Sequence, residues 1–147
     1  MRQRCFARPA RRAGLALAAL VLSLAAVTSS AQADGPTVAA ARIECQRAPE
    51  PGRIRCEVEV RAPPGAVLKW ADVAIVRTPP FATALRARVG PLEASAREDT
   101  VWRWAIALAA RDRGTGELEA RVRVVACVKD ACTPSEAAAS ATVVVGE

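Results

Sequence analysis

The sequence contains no histidine and no tyrosine, and its one methionine is Met1. Without histidine the chain has neither a Ser-His-Asp triad, nor an imidazole general base, nor a His-ligated metal site. Aromatic residues make up only 3% of the 147 residues, too few for a platform on which bases or sugars stack. Five cysteines remain as the residues able to carry chemistry, and we predict no metal and no other cofactor.

Residues 1–33 have the pattern of a secretory signal peptide. Residues 1–12 carry five arginines and no acidic residue, 13–27 are apolar almost throughout, and an A-x-A site ends at Ala33. An apolar run of about 15 residues is shorter than the roughly 20 that span a bilayer. We therefore predict cleavage after Ala33, a mature domain over 34–147 with no membrane span, and a periplasmic or secreted location.

Cleavage would change the charge balance of the chain. The whole chain has 21 basic and 15 acidic residues, and five of the basic ones lie in 1–33, so 16 basic residues remain against 15 acidic ones. A nearly neutral domain is poorly suited to bind nucleic acid, because that binding depends on positive charge. We therefore expect no nucleic acid among the partners.

Alternation of apolar and polar residues runs through most of the mature chain, which is typical of half-buried β-strands. The clearest case is RIRCEVEVR at 53–61, and turn-forming residues recur every 8–14 positions. We predict an all-β fold, an immunoglobulin-like antiparallel β-sandwich of about seven strands. The expected strands cover 38–45, 53–61, 67–76, 85–89, 101–110, 117–127 and 139–145.

Side chains on these strands divide into inward and outward sets. Trp102 and Trp104 share one strand face and are predicted to lie in the core. Charged residues at the alternate positions are predicted to form solvated sheet faces; they are Glu57, Glu59, Glu117, Glu119, Arg86, Arg88, Arg121 and Arg123.

Export also determines how the four mature cysteines are interpreted, because an even number in an oxidising compartment predicts two disulfides. Cys45 and Cys56 lie symmetrically about the Glu50-Pro51 turn, so we expect a structural bond across the first hairpin. Cys127 and Cys132 flank a tight turn and would close a second hairpin. A Cys56–Cys127 bond between the sheets, packed on Trp70 as in true immunoglobulin domains, remains an alternative.

The second cysteine pair also carries a family resemblance. Ala126-Cys127, four residues, Cys132-Thr133-Pro134 and a valine-rich last strand resemble the cysteine hairpin of the N-terminal periplasmic domain of the thiol:disulfide interchange protein DsbD. That domain is an immunoglobulin-like sandwich whose two cysteines exchange electrons with periplasmic partners beneath a cap loop. The resemblance implies that Cys127 and Cys132 are the catalytic pair, with Cys127 as nucleophile, and that Phe81 is the aromatic residue of the cap.

The sequence departs from that family at two places. Val124-Val125 stands where the family usually has Tyr-Gln, and Ser135 stands where a second proline is usual. Two hypotheses follow. The first is an exported thiol–disulfide exchange module whose partners are periplasmic thiol–disulfide proteins. The alternative is a secreted immunoglobulin-like binding or structural domain with two inert disulfides, no catalytic activity and another exported protein as its partner.

Overall fold

The computed structural model describes residues 38–146, so the predicted signal peptide at 1–33 lies outside the described residues. Within them the chain forms one short 3-10 helix, Pro91–Glu93, and nine strands. The strands are β1 (Ala40–Cys45), β2 (Arg53–Arg61), β3 (Val67–Arg77), β4 (Ala82–Ala84), β5 (Arg88–Val89), β6 (Ala96–Arg97), β7 (Val101–Ala110), β8 (Gly114–Val128) and β9 (Ala131–Val145).

The strands form two antiparallel sheets. One has the order β1-β2-β7-β4, with β6 also pairing with β7, and the other has the order β5-β3-β8-β9. These orders match the ABED and CFG sheets of an immunoglobulin domain, with β1, β2, β7 and β4 as A, B, E and D, and β3, β8 and β9 as C, F and G. The predicted all-β, immunoglobulin-like sandwich is confirmed, and the two-residue strands β5 and β6 are additions to its seven strands.

β4 lies outside every predicted strand, and two of the strand predictions differ most from the structure in extent. Only Arg88 and Val89 pair within the predicted strand 85–89, because the chain crosses between the sheets there. The N–H of Leu85 donates to Ala107 of β7 at 2.9 Å, whereas the carbonyl of Ala87 accepts from Ile75 of β3 at 2.8 Å. The last strand begins at Ala131, not at 139, because the preceding turn is only two residues long.

The core lies between the inward faces that the alternation predicts. Trp102 and Trp104 are both buried, as predicted, and their ring centroids are 6.0 Å apart. The Trp104 indole N–H donates to the Gly90 carbonyl at 2.8 Å, so this side chain fixes the start of the 3-10 helix. The other buried residues of β2, β7 and β8 that share the core are Ile54, Cys56, Val58, Val60, Ile106, Leu108, Ala110, Leu118, Ala120, Val122, Val124 and Ala126.

Glu59 corrects the prediction of a solvated outer face on β2. Only 2% of its side chain is exposed, because it lies beneath three arginines. Arg42 Nε donates to Glu59 Oε1 at 3.1 Å, Arg61 Nε to the same oxygen at 2.8 Å, and Arg103 Nε to Oε2 at 2.8 Å. Register causes this convergence, since Glu59 stands opposite Arg42 in β1 and Arg103 in β7.

Asp72 repeats the arrangement on the other sheet. Its side chain is buried, and Arg88 Nε and Arg123 Nε donate to it at 2.8 and 3.0 Å. Arg88 and Arg123 are themselves exposed, as predicted, but they also form an ion-pair cluster around this buried carboxylate. Within the described residues no buried side-chain nitrogen or oxygen lacks a hydrogen-bond partner. Both carboxylates are thus fully engaged in holding neighbouring strands together.

The Glu59 cluster predicts a pH dependence of stability. Burial alone would raise the pKa of Glu59, but hydrogen bonds from Arg42 and Arg103 and the charges of Arg42 and Arg61 outweigh it, so the pKa is lowered. A lowered folded-state pKa contributes stability that is present above the unfolded value of about 4.3 and is lost as pH falls through the folded value. We expect Glu59→Gln to lower the free energy of unfolding at pH 7 by about 1–2 kcal/mol.

That difference should shrink as the pH is lowered, because the wild-type carboxylate becomes protonated and loses its advantage over the amide. Urea unfolding at several pH values between 7 and 3 measures this. Glu57→Gln is the matched control, since Glu57 is 55% exposed on the same strand and should change stability little. An equal loss in both variants, or a loss independent of pH, would contradict the assignment.

Candidate functional site

The β8–β9 hairpin holds the cysteine pair that the resemblance singles out. The two strands stay in register from Gly114 opposite Val145 to Val128 opposite Ala131, so only Lys129 and Asp130 form the turn. Two-residue hairpin turns need a positive φ at their first central position, which glycine or asparagine usually occupies. Here that position is Lys129, with φ of 52°. The tight turn places Cys127 directly opposite Cys132.

Cys127 and Cys132 form a disulfide whose Cα atoms are 4.0 Å apart, which is the pairing that the hairpin predicts. The even-numbered residues of β8 face the core, so this bond lies on the outer face of the sheet, next to Val125. The two cysteines differ in exposure, because only 2% of Cys127 is accessible to solvent, whereas Cys132 is exposed. The alternative Cys56–Cys127 bond is not formed.

This difference in exposure determines which sulfur an incoming thiol can reach. Cys132 faces solvent, so a thiolate would attack its sulfur, and Cys127 would be the leaving group. The resemblance implies the opposite order, with Cys127 as nucleophile, yet Cys127 is the buried member of the pair.

A small apolar patch adjoins the disulfide on the same outer face. We call it the Trp70 patch; it consists of Trp70, Val125 and Pro134. A β-bulge after Leu68 brings Trp70 opposite Val125, which itself stands opposite Pro134. The guanidinium carbon of Arg123 lies 5.6 Å from the centre of the indole ring, within range of a cation–π contact. A shallow cavity of about 420 Å³ is lined by Trp70, Arg123, Val124, Val125, Pro134, Ser135 and Glu136.

Phe81 does not lie near this disulfide. The cap role that the DsbD resemblance implies for it is therefore corrected. Its ring packs against Gly114, where a Cβ atom would come within 2.8 Å of it. Gly114 and Cys127 are near opposite ends of β8, and a strand rises about 3.3 Å per residue, so about 40 Å separates them. Phe81 therefore fills the end of the sandwich remote from the hairpin turn.

Cys45 and Cys56 form the second disulfide, across the β1–β2 hairpin, as predicted. They stand directly opposite each other, with Cα atoms 4.0 Å apart. Cys56 is part of the hydrophobic core, whereas Cys45 is half-buried and packs against it. Cys56 stands opposite Ile106, in the second half of β7. Near the other disulfide, the N–H of Leu68 donates to the carbonyl of Asp99, which lies just before β7 begins. The two disulfides therefore stabilise opposite ends of the sandwich.

Sequence reasoning missed the two carboxylate clusters at Glu59 and Asp72. Part of the signal was present, because Arg61 lies two positions after Glu59 and the other arginines belong to neighbouring strands. Recognising it requires the strand register, which one sequence does not define. Within residues 38–146 no group of three or more His, Cys, Asp or Glu side chains could hold a metal ion. No helix in that range is long and apolar enough to cross a membrane.

Comparisons with known proteins add little to this description. No family model matches the sequence, and no curated protein matches it. Among solved structures, the chain is similar to the crystal structure of BslA, described as a bacterial hydrophobin. The TM-score is 0.38 at 13% identity, and the match covers 76% of this chain and 98% of that one.

Proposed function

We propose that the chain is an exported immunoglobulin-like domain that serves as a binding or structural module. Both disulfides stabilise the sandwich and take no part in catalysis. The pattern of residues 1–33 and the pairing of all four remaining cysteines support export into an oxidising compartment. The location itself, periplasmic or secreted, belongs to this proposal.

One observation carries the structural role of the disulfides. Each bond joins two directly opposed residues of an uninterrupted antiparallel pairing, one at each end of the sandwich. A bond in that position restricts the unfolded chain and holds strand register without needing any movement in the folded state. The Trp70 patch is the surface that we assign to recognition of another exported protein, because an amphipathic aromatic side chain beside a proline suits an interface.

The second candidate is the exchange module that the DsbD resemblance implies, and the exposure of Cys132 favours it. A partner thiolate would attack the Cys132 sulfur, the Cys127–Cys132 bond would break, and Cys127 would leave as a thiolate. The partner's second thiolate would then attack the partner's own sulfur in the mixed disulfide, and Cys132 would leave as a thiolate. The partner would be oxidised, and this chain would be reduced by two electrons.

Trapping of mixed disulfides separates the two candidates. In Cys127→Ser the Cys132 thiol is left unpaired at an exposed position, where an exchange module would accumulate a covalent complex with one exported partner. We expect no such defined complex on non-reducing electrophoresis of cells that express the variant. The matched control is Cys56→Ser, which leaves Cys45 unpaired at the other end of the sandwich.

A defined complex would overturn the proposal under two further conditions. It must be absent from the Cys56→Ser control, and it must disappear both on reduction and in the double variant Cys127→Ser, Cys132→Ser. That result would assign the hairpin to thiol exchange.

A further inference from the structure

The outer edge of β9 carries backbone hydrogen-bonding groups that point away from β8. The pair Cys127 and Cys132 has the close Cα approach of a non-hydrogen-bonded antiparallel pair, at 4.0 Å. Because the register continues unbroken along both strands, every even-numbered residue of β9 is in such a pair. The N–H and C=O groups of these even-numbered residues therefore face the open edge.

Contacts of Ala48 agree with this assignment. Its N–H donates to the Val144 carbonyl at 3.1 Å, and its carbonyl accepts from the Gly146 N–H at 2.9 Å. Both partners are even-numbered, and Ala48 fills that end of the edge as a single parallel bridge. At the other end Pro134 has no N–H to offer. Between these two limits lies the segment 136–142, which we call the open edge.

The open edge presents four residues with outward-facing backbone groups, Glu136, Ala138, Ser140 and Thr142, and all four are exposed. In the part of the chain that the structure describes, β1 packs beside β9, but no backbone group bonds to these four residues. Proteins usually protect such edges with lysine, proline or a bulge. The sequence EAAASAT at 136–142 has none of these, and Glu136 is its one charged residue.

We propose that the open edge binds a second copy of the chain, with the two β9 strands antiparallel about a two-fold axis at Ala139. In that register Glu136 faces Thr142 of the second copy, and Ala138 faces Ser140 of the second copy. All four outward-facing residues of each copy then exchange hydrogen bonds with their counterparts, and no two like charges are opposed. The alanine and serine side chains are small enough to let the two backbones approach.

Neighbouring registers fit less well. A shift in one direction sets the Thr142 carbonyl against Pro134, which cannot donate. A shift in the other direction brings Glu136 to Val144 of the second copy, whose carbonyl already accepts from Ala48. The Ala139 register therefore matches the limits of the open edge. In this register the β5-β3-β8-β9 sheets of the two copies join into one continuous sheet. This association is independent of the role proposed for the disulfides.

Sedimentation equilibrium of the purified protein tests the association over about 1 µM to 1 mM, the range in which weak interfaces dissociate. We expect the mass to rise from monomer to dimer. The double variant Ala138→Lys, Ser140→Lys places lysines opposite lysines across the axis and should weaken the dimer by about tenfold or more. Leu85→Lys, Leu92→Lys adds the same charge at exposed sites beyond the opposite edge of the sandwich and should dimerise like the wild type.

A charge-swap mixture keeps the test independent of folding. Ala138→Glu, Ser140→Glu should also be monomeric alone, and mixing it with the lysine variant should restore a one-to-one dimer. A wild-type chain that stays monomeric to about 1 mM would overturn the proposal. So would a lysine variant that dimerises as tightly as the wild type, or a mixture that stays monomeric.

Discussion

The double variant Cys45→Ala, Cys56→Ala lacks the Cys45–Cys56 bond. We expect it to lower the free energy of unfolding by about 3 kcal/mol or slightly more. The bond closes a loop with a sequence separation of 11, and a loop of that size restricts the unfolded chain by about 3 kcal/mol in the chain-entropy model. Cys56 is 1% exposed within the core, so its replacement by alanine also removes packed atoms. Urea and thermal unfolding of the oxidised wild type and the variant measure the difference.

The matched comparison removes the other bond through Cys127→Ala, Cys132→Ala. Its sequence separation is 5, so the same model gives a smaller effect of about 2 kcal/mol. That disulfide lies on the outer face, and neither cysteine belongs to the core cluster. Both variants should keep the β-sheet circular dichroism of the wild type. A larger loss from the hairpin pair than from Cys45 and Cys56 would contradict the packing argument.

Trp104→Ala is expected to destabilise the domain by about 4 kcal/mol, within the range for truncating a buried tryptophan. The side chain is 0% exposed between the two sheets, and its indole N–H is bonded to Gly90. Trp104→Phe keeps most of the buried apolar surface but loses that hydrogen bond, so we expect a smaller loss of about 1–2 kcal/mol. Chemical denaturation measures both values.

Leu92→Ala serves as the control for Trp104, because Leu92 lies in the 3-10 helix whose start Trp104 fixes but is itself 91% exposed. Its replacement should change stability by less than about 0.5 kcal/mol. An effect of Trp104→Ala no larger than that control would mean that the tryptophan is not an element of the core.

Most of the fold could be predicted from the sequence because burial on one face imposes a period of two. Along β2, β7 and β8 every second residue is apolar, and those residues form the core. The beginning of β9 could not be predicted this way, because residues 131–134 are all exposed and carry no alternation. The crossing at 85–89 alternates like a strand, yet its ends bond to different sheets.

Disulfide pairing could be predicted because residues equally spaced about a hairpin turn meet without any long-range register. The placement of Phe81 could not, since it depends on how the loop before β4 packs at one end of β8. The environment of Glu59 depends on three strands at once. Arg42 and Arg103 come from β1 and β7, and only the register of both neighbours brings them to one carboxylate.

The reduction potential of each disulfide tests the central claim most directly. Equilibration of the oxidised protein in graded redox buffers, followed by alkylation and peptide mapping, gives both potentials and the connectivity in one experiment. We expect both bonds to have potentials below about −300 mV, where structural disulfides of exported proteins lie. A Cys127–Cys132 potential between about −180 and −270 mV, in the range of oxidoreductases, would contradict the account and identify the hairpin as an exchange site.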